Sequence, residues 1–153
     1  MQESLNILKA TRNNYLKQLE GISLESLNLI PKGYNNNLIW NASHAVVTQQ
    51  LLCYAMSGLE VKLPKEIVAA YRKGSKPTRS VSQAEVDQVK TWLTESIDWL
   101  AADIKAGIFK QYKVYTTSYG YTLSSFEDAV AFNNVHEGMH LGYIIALKKH
   151  LKV

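Results

Sequence analysis

The sequence predicts an all-α fold, a four-helix bundle with long connections and a short extra helix. Two observations carry that prediction. Four separate stretches repeat apolar side chains at spacings of three and four, which places them on one helix face. Helix-start signals stand ahead of three of these stretches. Packing four apolar stripes together is the simplest way to bury them all. The 153 residues, 46% hydrophobic and 20% charged, suit one domain over 1–153 with a substantial core.

The elements follow in chain order. Leu5, Leu8, Tyr15 and Leu19 form the first stripe. The second runs through Trp40, His44, Val47, Leu51 and Tyr54, entered through an N-cap among Asn35 to Asn37 and stopped at Gly58. Pro64 to Arg72 predicts the short extra helix, closed by Gly74. Ser82 with Glu85 makes a capping box for the third stripe, Val86, Val89, Leu93, Ile97, Leu100 and Ile104. Residues 107–123, "GIFKQYKVYTTSYGYTL", are rich in Tyr and Thr and read as extended. Its Tyr-rich part, 112–121, either walls the entrance of a site, or covers a bundle end or joins a dimer contact. Ser124 with Glu127 is expected to cap the fourth stripe, Ala129, Phe132, His136, His140, Tyr143 and Leu147.

Composition narrows the function classes. The start of the chain has no apolar segment of signal-peptide length, and no run approaches the roughly 20 residues that span a bilayer. A cytosolic location and no membrane partner are therefore expected. The one cysteine, Cys53, permits no internal disulfide and reads as a buried, inert thiol in "QQLLCYAM". Net charge is +4, with the densest basic group at Arg72, Lys73, Lys76 and Arg79. That group is read as a solvated loop ahead of an anion-attracting rim, and no nucleic-acid partner is expected.

Three of the four histidines, His44, His136 and His140, fall on core-facing stripes of two different helices. Buried imidazole nitrogens need partners, and a divalent ion takes one lone pair from each ring. Residues four apart are separated by about 6 Å of rise and roughly 40° of rotation, so His136 and His140 can share an ion. A third ligand from a facing helix leaves a coordination position for water or substrate, as in catalytic zinc sites. Imidazole ligands also suit nickel, copper or iron; zinc and nickel are the first candidates. His150 lies about 15 Å further along the helix and reads as a surface residue.

The string HEGMH, 136–140, satisfies the zinc-protease pattern. A metzincin's further histidine is replaced here by Ala146, and no Asp or Glu follows His140. A strand edge to hold peptide is also missing from the helical pattern, which rejects that class. A di-iron bundle needs glutamates on every helix, and residues 38–57 contain no Asp or Glu. Glu137, about 100° around the helix from His136, is assigned first to a salt bridge or a supporting role. Glu137 and Tyr143 are the only catalytic candidates. Asn133 and Tyr143 are placed to line the pocket or orient an imidazole, with core packing the first reading of Tyr143.

"NNLIWNASHAVVTQQLL" and "FEDAVAFNNVHEGMHLGYIIALKKHL" resemble the first-histidine helix and the His-x-x-x-His helix of the DinB-like superfamily of metal-binding four-helix bundles. "SYGYTLSSFEDAV" is similar to that family's lead-in to its last helix. The similarity spans nearly the whole chain. Its specific part is the three spaced histidines with Gly142 two residues after the last. The resemblance implies that His44, His136 and His140 are metal ligands. It also implies a homodimer, since members often are. Characterised relatives include thiol-dependent S-transferases and a maleylpyruvate isomerase, with a low-molecular-weight thiol as cosubstrate. The expected function is a metal-dependent transferase or hydrolase acting on a small molecule. The alternatives are a non-catalytic metal- or small-molecule-binding protein and a structural metal site.

Overall fold

Short polar side chains fix the helix starts in this chain. In the computed structural model, which describes residues 1–151, Asn37 accepts from the Trp40 amide at 2.9 Å and opens the second long helix. Ser82 and Glu85 form the expected capping box. The last helix starts one residue later than expected, because "SSFED" offers two frames. Ser125, not Ser124, accepts from the Asp128 amide at 3.0 Å. Asp128, not Glu127, accepts from the amides of Ser124 and Ser125 at 2.9 and 3.1 Å.

Six helices result: α1 (Gln2–Leu19), α2 (Leu24–Asn28), α3 (Leu38–Cys53), α4 (Lys65–Tyr71), α5 (Gln83–Lys105) and α6 (Phe126–Lys148). The four long ones form the bundle. α3 packs on both α5 and α6, and α1 packs on the same two, so α1 and α3 lie on opposite corners. α4 is the expected extra helix. The second short helix, α2, carries no apolar stripe long enough to register as a period; Ser23 caps it. A 3-10 turn, Ala55–Ser57, follows α3 and ends at Gly58 with φ 72°. Any side chain at Gly58 would be strained by that backbone and would meet Gln111.

Residues 107–123 are less regular than their composition suggests. Only β1 (Tyr115–Thr116) and β2 (Thr122–Leu123) pair, antiparallel, with Tyr115 opposite Leu123. The segment is held by contacts with the bundle instead: Phe109 stacks on Phe126 at 3.9 Å, and the Lys113 amide donates to the Met56 carbonyl at 2.6 Å.

The expected stripes are buried, with exceptions. Leu5, Leu8, Tyr15 and Leu19 are in the core, and so are Val86, Val89, Leu93, Ile97 and Leu100. Tyr143 is 37% exposed, whereas its neighbour Ile144 is fully buried. The expected core role of Tyr143 is therefore corrected: the α6 core line passes through Ile144 to Leu147. α3 has no single outer face. Every residue from Leu38 to Cys53 is buried except Thr48 and Leu51, and the helix carries no charge. None of the described helices is long and apolar enough to cross a membrane.

Candidate metal centre

α3 is less than fully buried at Thr48 and Leu51 only, both half-buried, and both line one cavity of about 520 Å³. Its floor is made by His44 of α3 and by His136 and His140 of α6. The ring centroids are 5.1 Å apart for His44–His136, 4.7 Å for His44–His140 and 4.5 Å for His136–His140. One ligand-capable nitrogen from each ring lies within 4.8 Å of the other two. Among the described residues this is the one group of three or more such side chains close enough to hold an ion.

The outer nitrogens show how two of the rings are oriented. His44 Nδ1 is 2.6 Å from the Tyr71 carbonyl, at the end of α4. A carbonyl only accepts, so Nδ1 carries the proton and Nε2 keeps its lone pair. That free nitrogen accepts from the Thr48 hydroxyl at 3.3 Å. Trp40, one turn earlier, stacks on the His44 ring at 4.7 Å with planes 9° apart. His140 Nδ1 is 2.9 Å from Asn41 Oδ1. Asn41 donates its amide to the Asn37 carbonyl at 2.7 Å and to Asn36 at 3.1 Å, which leaves its oxygen to accept from His140. Histidines that ligate metals usually donate their second nitrogen in this manner, which fixes tautomer and ring direction.

His136 differs. Its Nδ1 is buried with no hydrogen-bond partner among the described residues. Burying an unsatisfied polar atom costs roughly 1–3 kcal/mol, so the ring retains unused hydrogen-bonding or ligating capacity.

Electrostatics agree with lone pairs that are free at neutral pH. Burial lowers the pKa of His44 against the opposing hydrogen bond to the Tyr71 carbonyl. Burial, then the neighbouring His140 and His44, lowers His136 to about 3. Burial and His44 lower His140 to about 4. Metal ligation needs neutral imidazole, and all three rings meet that condition. The residues fit a divalent ion: three neutral imidazoles, two of them oriented by acceptors and one with an orphaned buried nitrogen.

The other sequence candidates lie elsewhere. Glu137 is fully buried on an adjacent face of α6, where Arg12 grips it through two hydrogen bonds, Nε to Oε2 at 2.6 Å and Nη2 to Oε1 at 2.5 Å. The expected salt bridge is present, and the carboxylate is outside the cavity lining. Asn133 donates to that same carboxylate at 3.3 Å rather than to an imidazole, so its expected place at the pocket is corrected. Tyr143 meets Tyr34 edge to face at 5.7 Å and does not line the cavity. His150 is exposed and bonds the Tyr34 hydroxyl at 3.0 Å. The Cys53 thiol is buried, which pushes its pKa up to about 12; it is inert.

A family model for the DinB superfamily matches residues 7–144. The chain belongs to the DinB superfamily. The match covers most of α1 and all of α3 and reaches past both histidines of α6, so this DinB-superfamily chain has the whole cluster inside the matched region. None of the curated proteins compared with it matches.

Sequence reasoning missed several residues that line the cavity or orient its histidines. Asn41 lies three residues before His44, inside the motif, and carried no periodic signal of its own. Thr48 is one turn after His44, where any hydroxyl is in reach of the ring. Lys73 belongs to the basic group that was assigned to solvent. Tyr115 and Tyr119 of the hairpin line the cavity, which agrees with the reading of that segment as a wall of the site.

Proposed function

We propose that His44, His136 and His140 hold one divalent ion, and that the DinB-superfamily chain uses it in a metal-dependent transfer or hydrolysis on a small molecule. When bound, such an ion supplies Lewis acidity beside an open position, lowering the pKa of a thiol or a water. Thiol S-transfer is the first reaction class to test, and zinc or nickel the first metals. The observation that carries this reading is the convergence of three neutral imidazoles on the floor of an open cavity. A closed structural site would surround the ion with a fourth protein ligand. The cavity lining has room beside the rings and no cysteine or carboxylate.

The residues divide the remaining work. Tyr71 and Asn41 orient His44 and His140, and Thr48 holds a hydroxyl against the His44 nitrogen. Leu52, Met56 and Phe132 form an apolar wall that excludes water from the body of a bound molecule. Tyr115 and Tyr119 cover it from the hairpin side. One observation favours a second reading, a binding protein without turnover: no Asp or Glu lines the cavity to act as a general base. A homodimer is also proposed, supported by the exposed apolar face of α6 at Val135, Met139 and Ile145.

Metal analysis of the purified protein tests the centre. About one divalent ion per chain is expected, as the three-ligand site requires, and His44→Ala should lose most of it. Unchanged metal content in that variant would reject the ligand set. Low-molecular-weight thiols should then perturb the visible spectrum of the cobalt-substituted protein; no response would move the reading to hydrolysis or binding.

A further inference from the structure

The cavity above the histidines has an uneven distribution of charge. Its lining contains one charged residue apart from the histidines, Lys73, and no acid. The carboxylate next to His136 in the chain, Glu137, is buried in an ion pair with Arg12 and lies outside the cavity lining. Elsewhere the basic side chains of this region are engaged differently. Arg79 is paired with Glu85, and Lys76 lines a neighbouring cavity. Among the described residues Lys73 has no carboxylate within ion-pair distance, since the ion pairs there are Arg12–Glu137, Lys62–Asp103 and Arg79–Glu85.

Lys73 is also well placed by the backbone. It follows Tyr71, whose carbonyl fixes the His44 ring, by two residues. The turn that carries it is closed by Gly74, with φ 86°, and by Ser75. The Ser75 hydroxyl donates to the carbonyls of Ala70 at 2.7 Å and Arg72 at 2.8 Å. One short segment therefore sets both the histidine and the lysine. The same cavity is lined by the apolar side chains of Leu51, Leu52, Met56 and Phe132.

We propose that this cavity selects organic anions, a carboxylate or similar oxyanion on an apolar body, with Lys73 as the residue that recognises the negative end. This names the substrate class of the proposed metal site and rests on that reading for its catalytic meaning. The physical basis is a cation with no internal partner facing a space with no competing acid. An apolar wall of that size takes a body such as a phenyl or short alkyl group, and the lysine takes the oxyanion in a charge-assisted hydrogen bond. Neutral analogues lose that contact and keep the apolar one. Like-charged cations are repelled by Lys73 and find no carboxylate.

The test compares 4-phenylbutanoate with 4-phenylbutan-1-ol, which share a body and differ in charge. Binding is followed by shifts in the amide NMR spectrum, in the protein as purified and again after metal removal. The metal-free arm matters because a carboxylate can also ligate an ion. In both forms the carboxylate should bind about tenfold more tightly than the alcohol, the size expected of one charge-assisted contact. The preference should shrink as salt is raised. Lys73→Met should remove the preference, leave the alcohol affinity and the bound metal unchanged, and Lys73→Arg should keep it. Equal affinities in the wild type would overturn the proposal. So would a preference that survives in Lys73→Met, or no binding of the carboxylate at millimolar concentration. The metal assignment fails by a separate result, retention of metal in His44→Ala, so the two failures are distinguishable.

Discussion

His136 and Glu137 are chain neighbours on α6, and their surroundings could hardly differ more. On one side of the helix, Glu137 is enclosed with Arg12, whose remaining nitrogen reaches the Leu93 carbonyl and the Ser96 hydroxyl, both at 3.4 Å. Asn133 joins the same carboxylate, and the Tyr15 hydroxyl donates to the Glu137 carbonyl at 2.8 Å. On an adjacent face, three imidazoles face one another at the floor of an open cavity, and His136 Nδ1 has no partner. The first cluster pairs both carboxylate oxygens and the guanidinium within the chain, leaves Asn133 Oδ1 as its unpartnered buried oxygen, and ties α1 and α5 to α6. The second keeps donor capacity in reserve. Saturated polar groups hold a structure together, while unsaturated ones in a cavity are available to a ligand.

Breaking the saturated side should give the largest effect. Arg12→Ala strands a buried carboxylate and is expected to cost about 3–5 kcal/mol, read as a lower midpoint in urea denaturation. Replacing both partners, Arg12→Met with Glu137→Met, should recover much of that loss. A double variant as unstable as the single one would mean that the pair does more than satisfy itself.

The histidine side should show its character in acid. Imidazole in the unfolded chain titrates near its ordinary value of about 6.5, while His136 and His140 in the fold are lowered to about 3 and about 4. His44 is lowered as well. Between those limits the unfolded chain binds more protons, so stability of the metal-free protein falls as pH drops below about 6.5 and continues to fall toward 3. Above that window these rings contribute no pH dependence. Thermal midpoints of metal-free protein across this range would show the slope, and a variant lacking the three histidines should lose most of it.

The smallest effect should come from the support of the rings. Asn41→Ala removes the acceptor for His140 without touching a proposed ligand. Metal affinity is expected to fall about 10–100-fold in competition with a chelator, with the fold retained. An unchanged affinity would mean that the ring is held by packing alone.

Much of this division could be read in the sequence, for identifiable reasons. Helices with one buried face, α1 and α5, announced themselves through periodicity, and His44, His136 and His140 stood out because polar residues on a core stripe need a cause. The same logic applied to Arg12, which lies midway between Leu8 and Tyr15 on the first stripe and is fully buried. A charged residue there signals a buried partner, and Glu137 was the acid assigned to a salt bridge whose cation the periodicity left unnamed. Other features left no periodic trace. α3 is buried nearly all round, so its period said little about direction. Whether Tyr143 or Ile144 fills the core depends on how α6 is rotated in the bundle, which spacing alone leaves open by one residue. Asn41 and Lys73 act through tertiary proximity, Asn41 to His140 and Lys73 to the cavity, and could be found only once the elements were packed, whereas Thr48 is local to His44 and left no apolar signal.

X-ray absorption at the edge of the bound metal addresses the central claim most directly. Three imidazole nitrogens should appear around the ion, at about 2.0–2.1 Å if it is zinc, with one position filled by solvent oxygen. Loss of one imidazole should follow each of His44→Ala, His136→Ala and His140→Ala. A spectrum with two or fewer imidazoles, or with a sulfur donor, would contradict the account.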